Sequence, residues 1–490
     1  MEALAAGAAG PAAGATAGLG ITRFFINEDD CPGLDVRAAC LRLGRALSIP
    51  TLSSYAGSTA PDGSRPFDTF IAFLRVSYPR TFAAARCDRV GDSLLLTLPG
   101  SNAALPALLL MGHMDVVPVV PGTEGDWTHG AFEGVVDENF IWGRGAVDMK
   151  SHTVGILEAT EYVLSHGERL GRTLYLAFGE DEETDQFGAA RLAALLAERE
   201  ANIGFLVDEG DYRIVDTAEY RRPGSWVMHA DLAEKGYADV VLRVRSAGGH
   251  SANPFGGTSL ETISRAIAAI CDIEWPIRLT PLCAQTLLQL GLATSEQVEL
   301  DPDGVARSCV DDPQLFPLVT TTCAPTMIEG GSTACNVMPQ DMIASINFRM
   351  LEGVSVGEVF ERCREAIAQA GLPVEVELAP ASSEPTAPRV VDGPGLAAVR
   401  RAAARYFAEP PADGPGPRRP IRLIPSMVTG ATDAANYERI CSECIRFSPF
   451  VVDDEECDRG VHGTDERISC RAYAQGIRFF ARLIEETCCL

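Results

Sequence analysis

Three short apolar runs constrain the fold of this chain more than any other feature, because metal-binding side chains follow each run at once. The runs cover residues 107–111, 174–178 and 203–207. The side chains that come directly after them are His113 and Asp115, the acidic residues 180–183, and Asp208. Near-continuous apolar strands separated by helical stretches are typical of parallel strands that are buried on both faces.

The carboxyl ends of neighbouring parallel strands meet at one edge of a sheet, and ligands bind there. We therefore expect one histidine and several carboxylates to converge in one crevice. Imidazole and carboxylate ligands together suit a divalent transition metal. The alternation of strands and helices up to residue 208 predicts an α/β domain with a doubly wound, mostly parallel sheet and a metal site.

The pattern changes near residue 233, where a smaller α+β unit begins. Its predicted elements are strands near 240–244, 320–327, 342–348 and 374–378 and helices near 259–271 and 356–370. The order β-α-β-β-α-β is that of a split βαβ, ferredoxin-like domain. We predict a catalytic domain formed by residues 20–232 and 383–490, with a lid and dimerisation domain at 233–382 inserted in it. Residues 275–315 read as a loop-rich insertion in the lid.

The composition excludes several classes of protein. A formal net charge of -26 argues against nucleic-acid binding, which needs clusters of Lys and Arg. An acidic surface also repels anions, so an anionic substrate group requires a local Arg. Residues 1–19 are mostly Ala and Gly and predict a disordered extension. No run of about 18 apolar residues occurs, so no membrane span and no membrane partner are expected.

The 15 cysteines predict reduced thiols and a cytoplasmic protein. Their number is odd and their spacing is irregular, unlike a disulfide scaffold. Cys441 and Cys444 form a single CxxC pair, and no second pair stands at a metal-binding spacing, so a redox or structural-zinc role is not favoured.

Seven segments together resemble the M20 metallopeptidases, the zinc amidohydrolases that include aminoacylases and glutamate carboxypeptidases. More narrowly, they resemble the carboxypeptidase S branch, which contains N-fatty-acyl-amino-acid hydrolases. In the family's order, the segments are residues 112–119, 141–148, 181–183, 234–236, 248–251, 336–339 and 461–468. Their combination is specific, whereas an acidic pair such as Glu182-Glu183 alone is usually part of a solvated face.

The resemblance implies a site with two zinc ions, for which Co²⁺ or Mn²⁺ are substitutes. His113 and Asp208 would bind the first zinc, Glu183 and His462 the second, and Asp148 would bridge both. Asp115 would accept a hydrogen bond from the ring of His113 and fix its tautomer.

The remaining roles implied by the resemblance concern the reaction and the substrate. Glu182 would be the general base, and His250 would stabilise the oxyanion, often from the partner subunit of a dimer. Arg349 would clamp the free carboxylate of the substrate, with Asn336 as a further polar contact.

Departures from the branch concern residues beside these positions. Asp465 stands where Asn is usual, Gln186 where Gly is common, Glu180 where His is frequent, and Gly430-Ala-Thr-Asp433 replaces Gly-Gly-Thr-Asp. None removes a ligand or the base, so they bear on substrate preference.

The expected function is therefore hydrolysis of an N-acyl amino acid, or of a short peptide at its C-terminal residue. Two alternatives stay open at this point. One is a dipeptidase or a deacylase of a biosynthetic intermediate, and the other is a metal-binding dimer without turnover.

Overall fold

The computed structural model describes residues 20–220, 224–411, 416–453 and 460–490, so the extension expected at residues 1–19 lies outside the described residues. Two larger sheets organise these residues: a mixed sheet of nine strands and an antiparallel sheet of four. Within the described residues, no helix is long and apolar enough to cross a membrane.

The first part of the chain supplies most of the nine-stranded sheet. Its strands are β1 (Arg86–Val90), β2 (Ser93–Leu98), β3 (Ala107–His113), β4 (Phe140–Trp142), β5 (Leu174–Gly179), β6 (Ile203–Asp208), β7 (Val215–Asp216) and β8 (Trp226–Glu234). Its helices are α1 (Val36–Leu47), α2 (Pro66–Ser77), α3 (Pro79–Ala84), α4 (Lys150–Ser165) and α5 (Phe187–Glu198). Short 3₁₀ helices lie at Gly20–Phe24, Ser53–Tyr55, Glu124–Asp126 and Thr217–Tyr220.

Strands β5, β3 and β6 are neighbours and run parallel, as the apolar runs predict. Successive residues of β3 enter opposite cores: Leu108 and Leu110 pack in one hydrophobic cluster, and Leu109 and Met111 in another. Both faces of the strand are thus covered, which explains why its sequence is continuously apolar rather than alternating.

The segment predicted to form the lid, called the lid below, contains the four-stranded sheet. Its strands are β9 (Gly236–Arg245), β10 (Gly249–His250), β11 (Thr322–Gly330), β12 (Val337–Met338), β13 (Asp341–Met350) and β14 (Glu375–Ser383). Its helices are α6 (Ser259–Cys271), α7 (Pro281–Leu290), α8 (Ser295–Leu300), α9 (Pro302–Arg307), α10 (Phe316–Val319) and α11 (Val356–Gln369). The sheet order β11-β13-β9-β14 is that of a ferredoxin-like fold, with all neighbours antiparallel.

One face of the lid sheet is covered and the other is not. Val240, Leu242, Ile346 and Phe348 pack in a core with residues of α6 and α11. The alternate residues of β9 and β13 therefore point away from the helices.

The expectation of a loop-rich insertion at residues 275–315 is wrong, because helices α7 to α9 occupy most of it. Each begins at a capping side chain: Thr280, Thr294 and Asp301 accept hydrogen bonds from backbone N–H groups in the first turn. The first and third caps precede a proline at the first helical position, which is a favourable helix start.

The last part of the chain returns to the nine-stranded sheet. Its strands are β15 (Ala408–Glu409), β16 (Arg419–Pro420), β17 (Arg422–Val428), β18 (Cys444–Arg446) and β19 (Arg467–Ser469), and its helices are α12 (Pro394–Tyr406), a 3₁₀ helix at Asp433–Tyr437, and α13 (Cys470–Cys488). Strand β18 lies between β6 and β8, β17 pairs with β8, and β19 pairs with β4. The parallel strands at the centre of the sheet and the helices on both of its faces confirm the predicted fold class.

Candidate metal centre and active site

The carboxyl ends of three parallel strands bring the histidine and acidic segments together. β3 ends at His113, whose Cα pairs with that of Gly179 at the end of β5. β6 lies on the other side of β3 and ends at Asp208. His113 and the two acidic turns that follow β5 and β6 therefore share one crevice.

Asp115 is fully buried and contacts two parts of this crevice. Nδ1 of His113 lies 3.0 Å from the carbonyl oxygen of Asp115 and 3.3 Å from its Oδ1. Because both oxygens accept, Nδ1 carries the hydrogen and Nε2 is left to bind a ligand. The backbone N–H groups of Glu182 and Glu183 donate to the Asp115 carboxylate at 3.2 and 3.1 Å. Burial raises the pKa of Asp115, but its hydrogen bonds outweigh burial and hold that pKa below its usual value.

Asp148 lies between two imidazoles. Its Oδ1 is 3.2 Å from Nε2 of His113, and its Oδ2 is 3.1 Å from Nε2 of His462. Nε2 of His462 is also 3.1 Å from Oε2 of Glu183, whose Oε1 is buried without a hydrogen bond. Ligand atoms bound about 2.0–2.2 Å from a tetrahedral ion are separated by roughly 3.3 Å, close to these distances. Asp148 can therefore contact one cation through each oxygen.

Glu466 holds the loop that carries Asp148, a role that sequence reasoning did not identify. Its carboxylate is fully buried and accepts hydrogen bonds from the backbone N–H groups of Gly145, Val147 and Asp148. Arg144 donates to the same carboxylate at 2.7 Å. The only sequence signal was its place in the segment 461–468, four residues after His462.

Glu209, and not its neighbour Asp208, points into the crevice. Oε1 of Glu209 lies 3.6 Å from Nε2 of His113, and ligand atoms of His113, Glu182 and Glu209 lie within 4.8 Å of one another. Oδ1 of Asp208 accepts from the backbone N–H of Glu209 at 2.9 Å, and its Oδ2 is buried without a hydrogen bond. Successive side chains at the end of a strand point to opposite sides. The structure therefore does not bring Asp208 into the cluster, and it places Glu209, which sequence reasoning missed, near His113 and Glu182.

The crevice holds more carboxylates than histidines, and the pKa values of its side chains reflect this excess of acidic groups. Burial and the charges of Glu183 and Asp148 raise the pKa of Glu182 well above its usual value, although His113 opposes this. Hydrogen bonds to Asp148 and Glu183 raise the pKa of His462 to about 10. Bound cations would favour the deprotonated forms of these groups. The set of imidazole and carboxylate donors, with the unpaired Oε1 of Glu183, fits divalent metal ions.

Gln186 contacts the proposed base. Its Nε2 donates to Oε1 of Glu182 at 2.9 Å. The backbone of Gln186 has φ = 55°, in the left-handed region that favours glycine. Gly is common in the branch at this position, and a glycine would lack the side chain that bonds Glu182.

A cleft of about 660 Å³ joins the metal-binding crevice to the lid. Residues of the crevice that line it are Asp148, Glu182, Glu183, Glu209 and His462. On the lid sheet, Tyr237, Arg349 and residues 380–383 of β14 line it. Burial lowers the pKa of Arg349. Among the described residues, no carboxylate lies within ion-pair distance of its guanidinium. Arg349 therefore offers the cleft a positive charge that no described residue pairs directly.

His250 and Asn336 lie elsewhere on the lid. β10 pairs with β12, which lies beyond the end of β13 that is farther from Arg349. The backbone N–H of Ser251 donates to the carbonyl of Asn336 at 2.9 Å. Both side chains are exposed, and neither lines the cleft. Asp341, at their end of β13, is eight residues from Arg349, a distance of roughly 26 Å along a strand. Within one chain, the structure does not bring these two residues to the metal-binding crevice.

Comparison with known proteins agrees with this geometry. Residues 109–486 match the model of peptidase family M20/M25/M40. The chain is 27% identical over 465 residues to the "Probable carboxypeptidase S-like 2" of Dictyostelium discoideum, covering 91% of this chain and 84% of that protein. It is 28% identical over 404 residues to the human "N-fatty-acyl-amino acid synthase/hydrolase PM20D1", covering 80% and 76%.

A solved structure shares the fold. An M20 family metallo-carboxypeptidase from Sulfolobus solfataricus superimposes with a TM-score of 0.64 at 18% identity, covering 90% of this chain and 97% of that one. The family match spans more than half of the chain and includes all the residues of the metal-binding crevice. The chain therefore belongs to peptidase family M20/M25/M40 and is a metallopeptidase-type hydrolase.

Proposed function

We propose that this enzyme is a binuclear zinc hydrolase that cleaves an amide whose amine side is an amino acid with a free α-carboxylate. Its substrates would be N-acyl amino acids, or short peptides cut at the C-terminal residue. The observation that carries the proposal is the cleft itself. One wall bears the cluster of histidines and carboxylates, and the other bears Arg349, for which the described residues supply no direct counterion. The names of the two relatives, a carboxypeptidase and an N-acyl-amino-acid hydrolase, agree with both substrate classes.

Two sets of ligands are proposed for the ions. His113, Asp148 and Glu209 would hold one ion, and Asp148, Glu183 and His462 would hold the other. When bound, two zinc ions would polarise the amide carbonyl and lower the pKa of a water molecule.

Glu182 would move the proton in this reaction. Its carboxylate lies in the crevice but is not needed in either ligand set, so it is free to accept a proton from the attacking water. It would then pass that proton to the nitrogen of the leaving amino acid. The acyl group leaves as a carboxylate and the amino acid leaves as an amine.

Arg349 would bind the α-carboxylate of the substrate. A guanidinium forms paired, charge-assisted hydrogen bonds with a carboxylate, and a half-buried one gains more from them than an exposed one. The strong negative charge of the whole chain makes such a local cation necessary for an anionic substrate.

His250 and Asn336 would act on the site of a second copy of this chain. Both residues are exposed at the far end of the lid sheet, and an exposed apolar group lies in the same domain: Phe255, Met327, Ile328 and Val337. Exposed apolar side chains are typical of interaction surfaces where they adjoin one another. We propose a homodimer formed through the lids, in which His250 of the partner subunit contributes to the oxyanion contacts.

We also propose that the enzyme is cytoplasmic, because its cysteines are free thiols in the described residues.

The substrate class can be tested with a panel of long- and short-chain N-acyl amino acids, dipeptides, and the same compounds with a carboxamide in place of the α-carboxylate. Zinc-loaded protein is expected to release the amino acid from the acids and to hydrolyse the carboxamides about 10–100-fold more slowly in kcat/KM. Absence of turnover with every member, at two zinc ions per chain, would contradict the proposal. Preference for dipeptides would favour the dipeptidase alternative.

The dimer can be tested with two kinds of isolated heterodimer. One pairs a Glu182→Ala chain with a His250→Ala chain. If His250 acts on the other subunit, one of its two sites is complete, and we expect about half of the wild-type kcat. The loss of an oxyanion donor costs about 10²–10³-fold, so both parent homodimers should be nearly inactive.

The second heterodimer is the control, with both substitutions in one chain and none in the other. Action across the dimer then predicts nearly no activity, whereas action within one chain predicts about half. The two models give opposite results for the two heterodimers. A monomeric wild type that is fully active would also refute the dimer.

A further inference from the structure

We propose that Asp239 is a positioning residue that orients Arg349 toward the substrate carboxylate, acting through Tyr237 and Asn347. The inference rests on the proposed function, in which Arg349 binds that carboxylate. Asp239, Tyr237 and Asn347 all lie outside the metal-binding crevice.

The four residues form a square on the uncovered face of the lid sheet. In the antiparallel pair of β9 and β13, Tyr237 stands opposite Arg349, and Asp239 stands opposite Asn347. All four are half-buried, and the residues between them point into the lid core. The side chains therefore project together toward the cleft, where Tyr237 and Arg349 line the wall.

Hydrogen bonds connect the four side chains, and the donors lead toward the carboxylate of Asp239. Nδ2 of Asn347 donates to Oδ1 of Asp239 at 2.8 Å, and the hydroxyl of Tyr237 donates to Oδ2 of the same carboxylate. Nε of Arg349 donates to Oδ1 of Asn347 at 3.2 Å. The guanidinium carbon also lies 4.7 Å from the centre of the Tyr237 ring, a cation–π contact.

The acceptor-only character of Asp239 determines the orientation of Asn347. An ionised carboxylate cannot donate, so the amide of Asn347 must turn its NH₂ group toward Asp239. Its oxygen is then left facing Arg349, where it accepts from Nε. An asparagine at position 239 would not impose this order, because its own amide can donate as well as accept.

These contacts leave the outer nitrogens of Arg349 available. Asn347 uses Nε and the Tyr237 ring supports the guanidinium, while neither contact uses Nη1 or Nη2. Asp239 acts through Asn347 and does not form a direct ion pair with the guanidinium. Fixing a flexible side chain before the substrate binds reduces the conformational entropy lost on binding, and this improves affinity.

The test is the preference for an acid over its carboxamide, measured as the ratio of the two kcat/KM values. The wild type should prefer the acid, and Arg349→Met should remove the preference. Asp239→Ala should reduce the preference about 5–30-fold, mainly through the KM of the acid, because binding that is equal in the ground and transition states changes KM. Its KM for the carboxamide should change little.

Matched variants separate positioning from a general effect on the lid. Glu377→Ala removes a carboxylate from the neighbouring strand β14, opposite Val241, and should leave the preference unchanged. Asp239→Asn keeps one acceptor for Tyr237 and should give an intermediate preference. In the Arg349→Met background, Asp239→Ala should have no further effect on the ratio. If Asp239→Ala does not fold, Asp239→Asn and Asn347→Leu carry the test.

The outcomes distinguish the two proposals. A wild type without preference for the acid would overturn the role of Arg349 and therefore the proposed substrate class. A preference that Arg349→Met removes but that Asp239→Ala and Asn347→Leu leave intact would overturn only the role of Asp239.

Discussion

Replacement of Glu182 by glutamine is expected to lower kcat by about 10²–10⁴-fold, the usual contribution of a positioned general base. Glutamine has nearly the same shape and can still accept the hydrogen bond from Gln186, but it cannot take a proton from water. The measurement is kcat for the best member of the substrate panel, together with the zinc content per chain. We expect the metal content to be unchanged, because neither proposed ligand set contains Glu182.

Asp185→Asn provides the control, because it removes a carboxylate from the same turn. Asp185 is exposed at the cleft, and its substitution should change kcat by no more than about threefold. Full activity of the Glu182→Gln enzyme with two bound zinc ions would rule out Glu182 as the base.

Replacement of Glu209 by alanine is expected to remove one metal ion and nearly all activity, whereas Asp208→Asn should retain both ions. Outer contacts of metal ligands typically contribute 10–100-fold to metal affinity, so the loss of a direct ligand should exceed about 100-fold. Asparagine is nearly isosteric with aspartate and keeps an oxygen that can accept the hydrogen bond from the backbone N–H of Glu209. The measurements are zinc affinity and zinc content of each purified variant.

The two variants are adjacent in the chain, so each controls for damage to the end of β6. Retention of two zinc ions by Glu209→Ala, with loss of one by Asp208→Asn, would restore Asp208 as the ligand. Thermal unfolding of both variants shows whether the fold survives. A folded Asp208→Asn protein with normal metal content would assign Asp208 to the packing behind the crevice.

The central sheet could be predicted because its sequence signal is local. A strand such as β3 is apolar at every position since helices cover both faces, and few other structures demand such a short, uniform run. The position of the crevice then followed from the shared edge of parallel strands. Asp115 and the acidic residues 180–183 could be placed near the crevice for the same reason, whereas their separate roles were implied only by the resemblance.

The choice between Asp208 and Glu209 could not be made in this way. Which of two adjacent acids faces the ligand depends on where the strand ends and how the next residue turns. That is fixed by packing against β18, a strand more than 200 residues away in the chain. Sequence spacing carries no information about this contact.

The lid shows a similar limit. Asp239 and Asn347 are ordinary polar residues of alternating strands, and only the register of β9 against β13 places them beside each other and beside Arg349. Helices α7 to α9 were missed for a different reason: each is short, and its strongest signals are caps rather than an apolar periodicity.

Because β18 lies between β6 and β8, the central sheet stays open on the ribosome until residues 444–446 have been made. The loop that carries Asp148 forms its contacts later still. Its hydrogen bonds to Glu466 and the pairing of β19 with β4 require residues up to 469. A nascent chain that already exposes His113, Glu183 and Glu209 thus has neither His462 nor the strand that closes the sheet. The complete set of proposed metal ligands therefore exists only after His462 and the strand that follows it have been synthesised.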